Sequence, residues 1–292
     1  MTLPEPPLVP EFPRCYRHPE REAGRSCTRC GRTACSDCLV QATVGSHCVD
    51  CAKAARPDAA TRVRYASARV MTPVTFVLIG LNLLVFVLIV ADGGASGNLT
   101  GIHADLGLSK PILQGVMLGL DYQPIPAHQW YRLVTSGFIH FGFFHVLMNM
   151  LLLFQLGQLL ERALGGGRML ALYVASLLAG SFGVLLIDTG GITGGASGAV
   201  FGLMAGAAVG LHRRGVNVFS TGIGTTLLLN LVLTFSLSGV SVGGHLGGAV
   251  GGALCGWVML APSWRPLPRW AAWAAPVAVA LVSLVGSIVV VG

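Results

Sequence analysis

The chain has 292 residues, 53% hydrophobic and 11% charged, with a mean hydropathy of +0.70. A soluble domain carries about 25% charged residues, so an ordinary soluble enzyme is excluded, and so is disorder, which needs low hydrophobicity and high charge. The net charge of +7 points to nucleic acid only when basic residues cluster on one folded surface. Here they stand at the ends of apolar runs, which is the pattern of membrane topology, so no nucleic-acid partner is expected.

At the N-terminal end, residues 1–60 contain no apolar core of a secretory signal. Seven of the eight cysteines lie between Cys15 and Cys51. In a reducing cytoplasm such a cluster reads as a metal site rather than a disulfide framework. The spacing is Cys15-x-x-His18, Cys27-x-x-Cys30, Cys35-x-x-Cys38 and Cys48-x-x-Cys51. These pairs supply ligands for two tetrahedral zinc ions. The short gap between Cys30 and Cys35 favours an interleaved arrangement, first pair with third and second with fourth. His47 breaks the spacing and is expected to be a bystander. The pattern resembles small cross-braced zinc modules of the B-box type. A closed four-ligand site has no open position for chemistry, so the zinc is expected to be structural and to supply much of the folding energy. Residues 1–55 are read as this cytoplasmic module, with a protein or lipid partner left open. Residues 56–70, with Arg56, Arg62, Arg64 and Arg69, are read as a basic linker that can touch anionic lipid.

Residues 71–292 form the membrane part. A spanning helix needs about 20 mostly apolar residues. Charge-free runs cover 70–91, 133–160, 169–187, 189–212, 215–264 and 270–292. The run 215–264 is too long for one span and suits a hairpin turning at Ser236–Gly244, which makes seven expected spans. With the N-terminus inside, the inner loops hold Lys53, Arg162, Arg168, Arg213, Arg214, Arg265 and Arg269, and the outer side only Lys110 and Arg132. The long outer loop, from Asp92 to about Ser136, is expected to lie in the membrane interface.

Glycine recurs every four residues at Gly194, Gly198, Gly202, Gly206 and Gly210, and again at Gly244, Gly248, Gly252 and Gly256. Residues four apart share a helix face, and small stripes let helices approach closely in lipid. Ser197 stands beside the first stripe and His245 beside the second, at similar expected depth near the outer ends. If the stripes face each other, a hydroxyl meets an imidazole, the minimum for a serine nucleophile with a general base. His140, His145 and Asn149 add polar groups in the second span, where they should point into the bundle.

These residues resemble the rhomboid intramembrane serine proteases over roughly residues 70–290. Gly195-Ala196-Ser197-Gly198 is similar to the family's nucleophile motif, and His245-Leu246-Gly247-Gly248 to its general-base motif. His145-x-x-x-Asn149 is similar to the second-span motif whose side chains help form the oxyanion hole. Trp130-Tyr131-Arg132 resembles the first-loop signature, and Glu161 fits the end of the second span. Phe201 stands where many members have a tyrosine packed on the histidine. The resemblance implies an all-α polytopic membrane protein, a rhomboid-like bundle of seven transmembrane helices preceded by the small zinc-binding domain. It implies an intramembrane endopeptidase that cuts single-span membrane-protein substrates in the lipid bilayer, its active site toward the outer side of the cell membrane.

No acidic third member is apparent, so catalysis is expected from a Ser197–His245 dyad without a catalytic cofactor. Two other functions stay open. One is a catalytically inactive relative that binds membrane proteins. The other is a transporter with a zinc regulatory head, for which glycine-broken helices are the argument.

Overall fold

The computed structural model describes residues 12–42, 44–55, 71–116, 126–188 and 190–292. The basic linker read at 56–70 lies outside them. The chain divides into two units, Met1–Met71 and Thr72–Gly292.

Among its described residues, the first unit holds two antiparallel ribbons, a 3-10 turn at Ser36–Cys38 and one short α-helix. Strand β1 (Arg25–Ser26) pairs with β2 (Thr33–Ala34), and β3 (Leu39–Gln41) with β4 (Ser46–Cys48). Helix α1 (Val49–Ala54) follows at once, its N-terminus capped by the Cys48 sulfur, which accepts from the Cys51 N–H at 3.4 Å. The buried cluster is Cys15, Ala23, Ala34, Cys35 and Cys38, backed by Tyr16 and Leu39. A core this small cannot hold a fold by apolar burial alone.

The second unit is built of helices: α2 (Pro73–Ala91), α3 (Gly101–Leu106), α4 (Lys110–Leu113), α5 (Arg132–Thr135), α6 (Phe143–Leu164), α7 (Gly166–Ile187), α8 (Ser197–Arg213), α9 (Ile223–Ser236), α10 (Val242–Met259) and α11 (Ala271–Val291). Four of them, α2, α6, α7 and α11, are long and apolar enough to cross a membrane, and the chain is a multi-pass membrane protein. Helices α8 and α10, interrupted by glycine, and the shorter α9 complete the bundle.

Several boundaries differ from the charge-gap reading. The run from 133 is broken, because Gly142 adopts φ 90 and α6 starts only at Phe143. The hairpin turn is shorter than Ser236–Gly244. Ser241 accepts from the Gly244 N–H at 2.8 Å, so Gly243 and Gly244 are already helical. Gly194 precedes α8 and belongs to a loop, not to the stripe. The segment read as the outer loop contains the short helices α3, α4 and α5. Arg132 is buried there and donates to the carbonyls of Ala104 and Gly107 at 2.6 and 2.8 Å, tying α5 to α3.

Two carboxylates close helix ends that their own sequences leave open. Glu161, buried in α6, accepts from the Val74 and Thr75 N–H groups at 3.0 and 2.8 Å and from the Thr75 hydroxyl at 2.7 Å. It thereby satisfies orphan donors at the start of α2, where Pro73 already lacks one. Asp188 does the same for α10, accepting from the Ser241 hydroxyl at 2.5 Å and the Gly243 N–H at 3.0 Å.

The glycine stripes do face each other. A Cβ built on Gly248, Gly252 or Gly256 of α10 would collide with the backbone of Gly198, Gly202 or Gly206 of α8 respectively. Helix α10 has a second small face with the same four-residue spacing, Gly243, Gly247 and Gly251, beside the first. Gly243 and Gly247 press on Gly183 and Ala179 of α7 in the same way. Three backbones meet at Gly180, Gly198 and Gly244, where a Cβ on Gly180 would stand 2.9 Å from the Gly244 carbonyl oxygen.

Candidate functional site

Ser197 is the first residue of α8, two residues after Gly195 at φ 132 and beside the point where α7, α8 and α10 touch. The Gly195 N–H donates to the Ser136 carbonyl at 2.8 Å, which pins the turn that presents the serine. Glycine is required twice over there. Its φ disfavours an L side chain, and a Cβ would stand 2.8 Å from His145 Nε2.

His245 lies at the first turn of α10 and stacks on Phe201 of α8, with centroids 4.2 Å apart and 17° between planes. The aromatic contact expected of Phe201 is therefore present. Ser197, His245, His145 and Asn149 all line one cavity of about 560 Å³. No hydrogen bond joins Ser197 Oγ to His245 in this state; such bonds commonly tighten only when substrate is bound. On its other edge, His245 Nδ1 lies 2.7 Å from the Thr234 hydroxyl of α9.

His145 Nδ1 accepts the Phe141 N–H at 3.3 Å, which leaves the ring proton on Nε2, the nitrogen nearest the nucleophile turn. Asn149, one turn along, is buried and donates one amide hydrogen to the His145 carbonyl at 3.0 Å. The other amide hydrogen remains for the cavity. His140 is not in the span with them. It sits in the bend before α6, fully buried, its Nε2 within 3.5 Å of the Ala196 N–H, and its carbonyl accepts from His103 at 3.2 Å. Its place is behind the nucleophile turn. The cavity wall also includes Ile192, Thr193 and Gly194, the loop that leads into Ser197.

Among the described residues, the metal-ligand pairs assemble as interleaved sets. Cys15, His18, Cys35 and Cys38 form one, and Cys27, Cys30, Cys48 and Cys51 the other, each with donor atoms within 4.8 Å of one another. A tetrahedron with metal–sulfur bonds of ~2.3 Å puts sulfurs about 3.8 Å apart. Cys30 and Cys48 are 3.7 Å apart, and His18 Nδ1 stands 3.4 to 3.9 Å from its three sulfurs. His47 belongs to neither set; it pairs with Val40 across the second ribbon. At Cys27, burial pushes the thiol up, but backbone hydrogen bonds at Cys48, Cys30 and Arg29 outweigh it and bring the thiol down to about 6. A lowered thiol pKa favours the thiolate, the form that binds metal.

Comparison with known proteins agrees with the helical unit. Residues 127–262 match the family model described as Rhomboid domain. The chain is 28% identical over 174 residues to Rhomboid protease GluP of Bacillus subtilis, a match covering 59% of this chain and 32% of that protein. It is 35% identical over 173 residues to RHOMBOID-like protein 4 of Arabidopsis thaliana, covering 56% and 42%. It is 31% identical over 181 residues to Rhomboid-like protease 1 of Toxoplasma gondii, covering 57% and 59%. The chain thus spans less than two thirds of the length of each of these relatives.

Proposed function

We propose, from the match of residues 127–262 to the Rhomboid domain model, that the protein is an intramembrane serine endopeptidase acting through Ser197 and His245. Ser197 Oγ attacks the scissile carbonyl while His245 takes its proton, then returns that proton to the leaving amine. Water hydrolyses the acyl-enzyme by the same path. The oxyanion is held by the Ser197 N–H, His145 Nε2–H and the free amide hydrogen of Asn149. The observation that carries this reading is the convergence of Ser197, His245, His145 and Asn149, from three helices, on one cavity. The protease names of several relatives support it.

The substrates are proposed to be single-span membrane proteins, cut within or near the spanning segment. A helical peptide bond is shielded from a nucleophile, so the substrate unwinds locally in the cavity. The N-terminus is proposed to be cytoplasmic and the serine near the outer side, from the placement of Lys and Arg. The two Cys/His sets of residues 15–51 are proposed to hold two structural zinc ions, with no part in hydrolysis.

The test is reconstitution in vesicles with a panel of single-span substrates. Wild type should cleave and should be labelled by a fluorophosphonate. Ser197→Ala should do neither, and His245→Ala should lose cleavage, both remaining folded. Asn149→Ala should slow turnover by about 100- to 1,000-fold, the usual effect of losing one oxyanion donor. Cleavage by purified Ser197→Ala would overturn the nucleophile assignment. A folded wild type that is inert to both substrate and label would instead favour a membrane-protein binder.

A further inference from the structure

We propose that Thr234 of α9 is a positioning residue that holds His245 in the tautomer needed for base catalysis. The inference rests on the reading of Ser197 and His245 as the catalytic pair. Thr234 Oγ1 lies 2.7 Å from His245 Nδ1 and also 2.7 Å from the carbonyl oxygen of Asn230, one turn back on its own helix. A hydroxyl carries one hydrogen and a carbonyl carries none. The hydrogen between Thr234 and Asn230 must therefore come from the threonine. The hydrogen between Thr234 and His245 must then come from Nδ1. With Nδ1 protonated, Nε2 keeps its lone pair, and Nε2 is the nitrogen left to receive the Ser197 proton.

The surroundings of Thr234 match a polar task. Among the residues of α9, Gly224 and Thr234 are buried, while Leu228, Leu229, Val232, Leu233 and Phe235 are exposed as on a lipid-facing helix. The inward stripe is Thr226, Asn230 and Thr234, spaced four apart. The Asn230 amide donates to the Thr226 carbonyl at 2.8 Å. Asn230 and Thr234 both line the cavity that holds Ser197.

Among the described residues, no carboxylate is hydrogen-bonded to His245, whose Nδ1 partner is Thr234. Glu161 is engaged at the start of α2, and Asp188 accepts from Ser241 and Gly243 at the start of α10, three donors and two donors respectively. A neutral hydroxyl also suits a site in an apolar bundle. It orients the imidazole without the cost of burying a second charge. The Nδ1–H bond persists when His245 becomes an imidazolium, so the same contact serves both protonation states. The dyad thus has a third, uncharged member supplied by a different helix from either partner.

The test separates this role from simple packing. In vesicles, cleavage of a single-span substrate and the rate of fluorophosphonate labelling are measured for wild type, Thr234→Val and Thr234→Ser. Valine keeps the shape and removes the hydroxyl, leaving the Nδ1–H unpaired. Serine keeps the hydroxyl and removes a methyl group. Thr234→Val should lose roughly 10- to 100-fold in kcat and in labelling rate with KM little changed, the range set by an unpaired buried donor. Thr234→Ser should stay within about threefold of wild type, since its hydroxyl can make both bonds.

A fully active Thr234→Val, or an impaired serine variant beside an active valine one, would overturn the proposal. Independently of any variant at this position, nitrogen-15 spectra of histidine-labelled wild type should show His245 protonated at Nδ1, its resonance assigned by its loss in His245→Gln. A neutral His245 carrying its proton on Nε2 would also overturn it. Inert wild type, with neither cleavage nor label, would remove the catalytic reading itself, an outcome distinct from unequal behaviour of the two variants.

Discussion

In residues 12–55, most of the buried hydrophobic side chains are cysteines, and the ribbons around them are two or three residues long. In residues 72–292, the seam between α8 and α10 involves no side chain on either partner: the glycines of α10 lie on the glycines of α8, backbone against backbone. The first region is organised by donor atoms converging on two points, the second by shape matched along a line. Point convergence tolerates changes elsewhere but fails when the centre is removed. Linear matching has no single centre, yet any added atom along the seam pushes the whole helix away. One region therefore gathers its reactive side chains on two centres, while the other sets its two catalytic candidates beside residues with no side chain at all.

The largest expected effect that tests this contrast is metal removal. Residues 1–55, produced in reducing conditions, should contain two zinc ions per chain by metal analysis and should lose their fold on chelation. Structural zinc contributes about 10–16 kcal/mol to such small modules near neutral pH. One ion or none per chain would refute the interleaved sets as metal sites. In the full chain, chelation should leave cleavage of an unhindered substrate intact. Loss of all cleavage with a folded bundle would make the module a required regulator.

Next is Gly248→Leu. Its Cβ alone would run into the Gly198 carbonyl, and backbone cannot rotate aside as a side chain can. Overpacking typically costs about 1–3 kcal/mol, and here it should part α8 from α10, drawing Ser197 from His245. Cleavage and labelling should fall together, while the metal content of the module is unchanged. Wild-type activity in this variant would show that the seam does not set the site.

A smaller effect is expected at Glu161. Replacement by Gln keeps the shape but loses the charge that accepts from three donors at the start of α2. The bundle should lose about 1–3 kcal/mol, as for a hydrogen-bonded charge, seen as a lower midpoint of thermal unfolding. An unchanged midpoint would mean that water replaces the cap at no cost.

Least of all is Arg21→Ala in the module. The Arg21–Asp37 pair is 2.6 Å long, but both side chains are more than half exposed, where ion pairs contribute little. Zinc content and unfolding of the module should be indistinguishable from wild type. A measurable loss of zinc would show that the module depends on its surface charges as well as on its ligands.

The ligand pairs were legible because metal binding needs fixed donor types at short, regular spacing, and spacing is what a sequence displays. The same holds for the stripes: Gly198 to Gly210 and Gly244 to Gly256 keep a four-residue period, and the period alone implied a shared face. Gly243, Gly247 and Gly251 keep the same four-residue period one residue behind the first stripe, and which of two adjacent stripes meets which neighbouring helix is a matter of packing that the period does not display. Thr234 carries no motif. In sequence it is a small polar residue among leucines, and its partner His245 belongs to another helix. Asp188 was visible as a charge at a span end, but its use as a cap for α10 depends on where that helix starts.

By itself, then, the sequence determined that the chain enters a membrane, that its cysteine-rich part carries donors in metal-ligand spacing, and which serine and histidine stand beside close-packing faces. Each of these follows from local composition or period. Tertiary structure alone decided that His145 turns its Nε2 to the nucleophile turn, that Phe201 lies flat on His245, and that a hydroxyl from α9 meets the far edge of the same imidazole. Those facts depend on the relative rotation of α6, α8, α9 and α10 about their axes. For α8 and α10 that rotation is settled by which glycine faces can approach closely enough to touch.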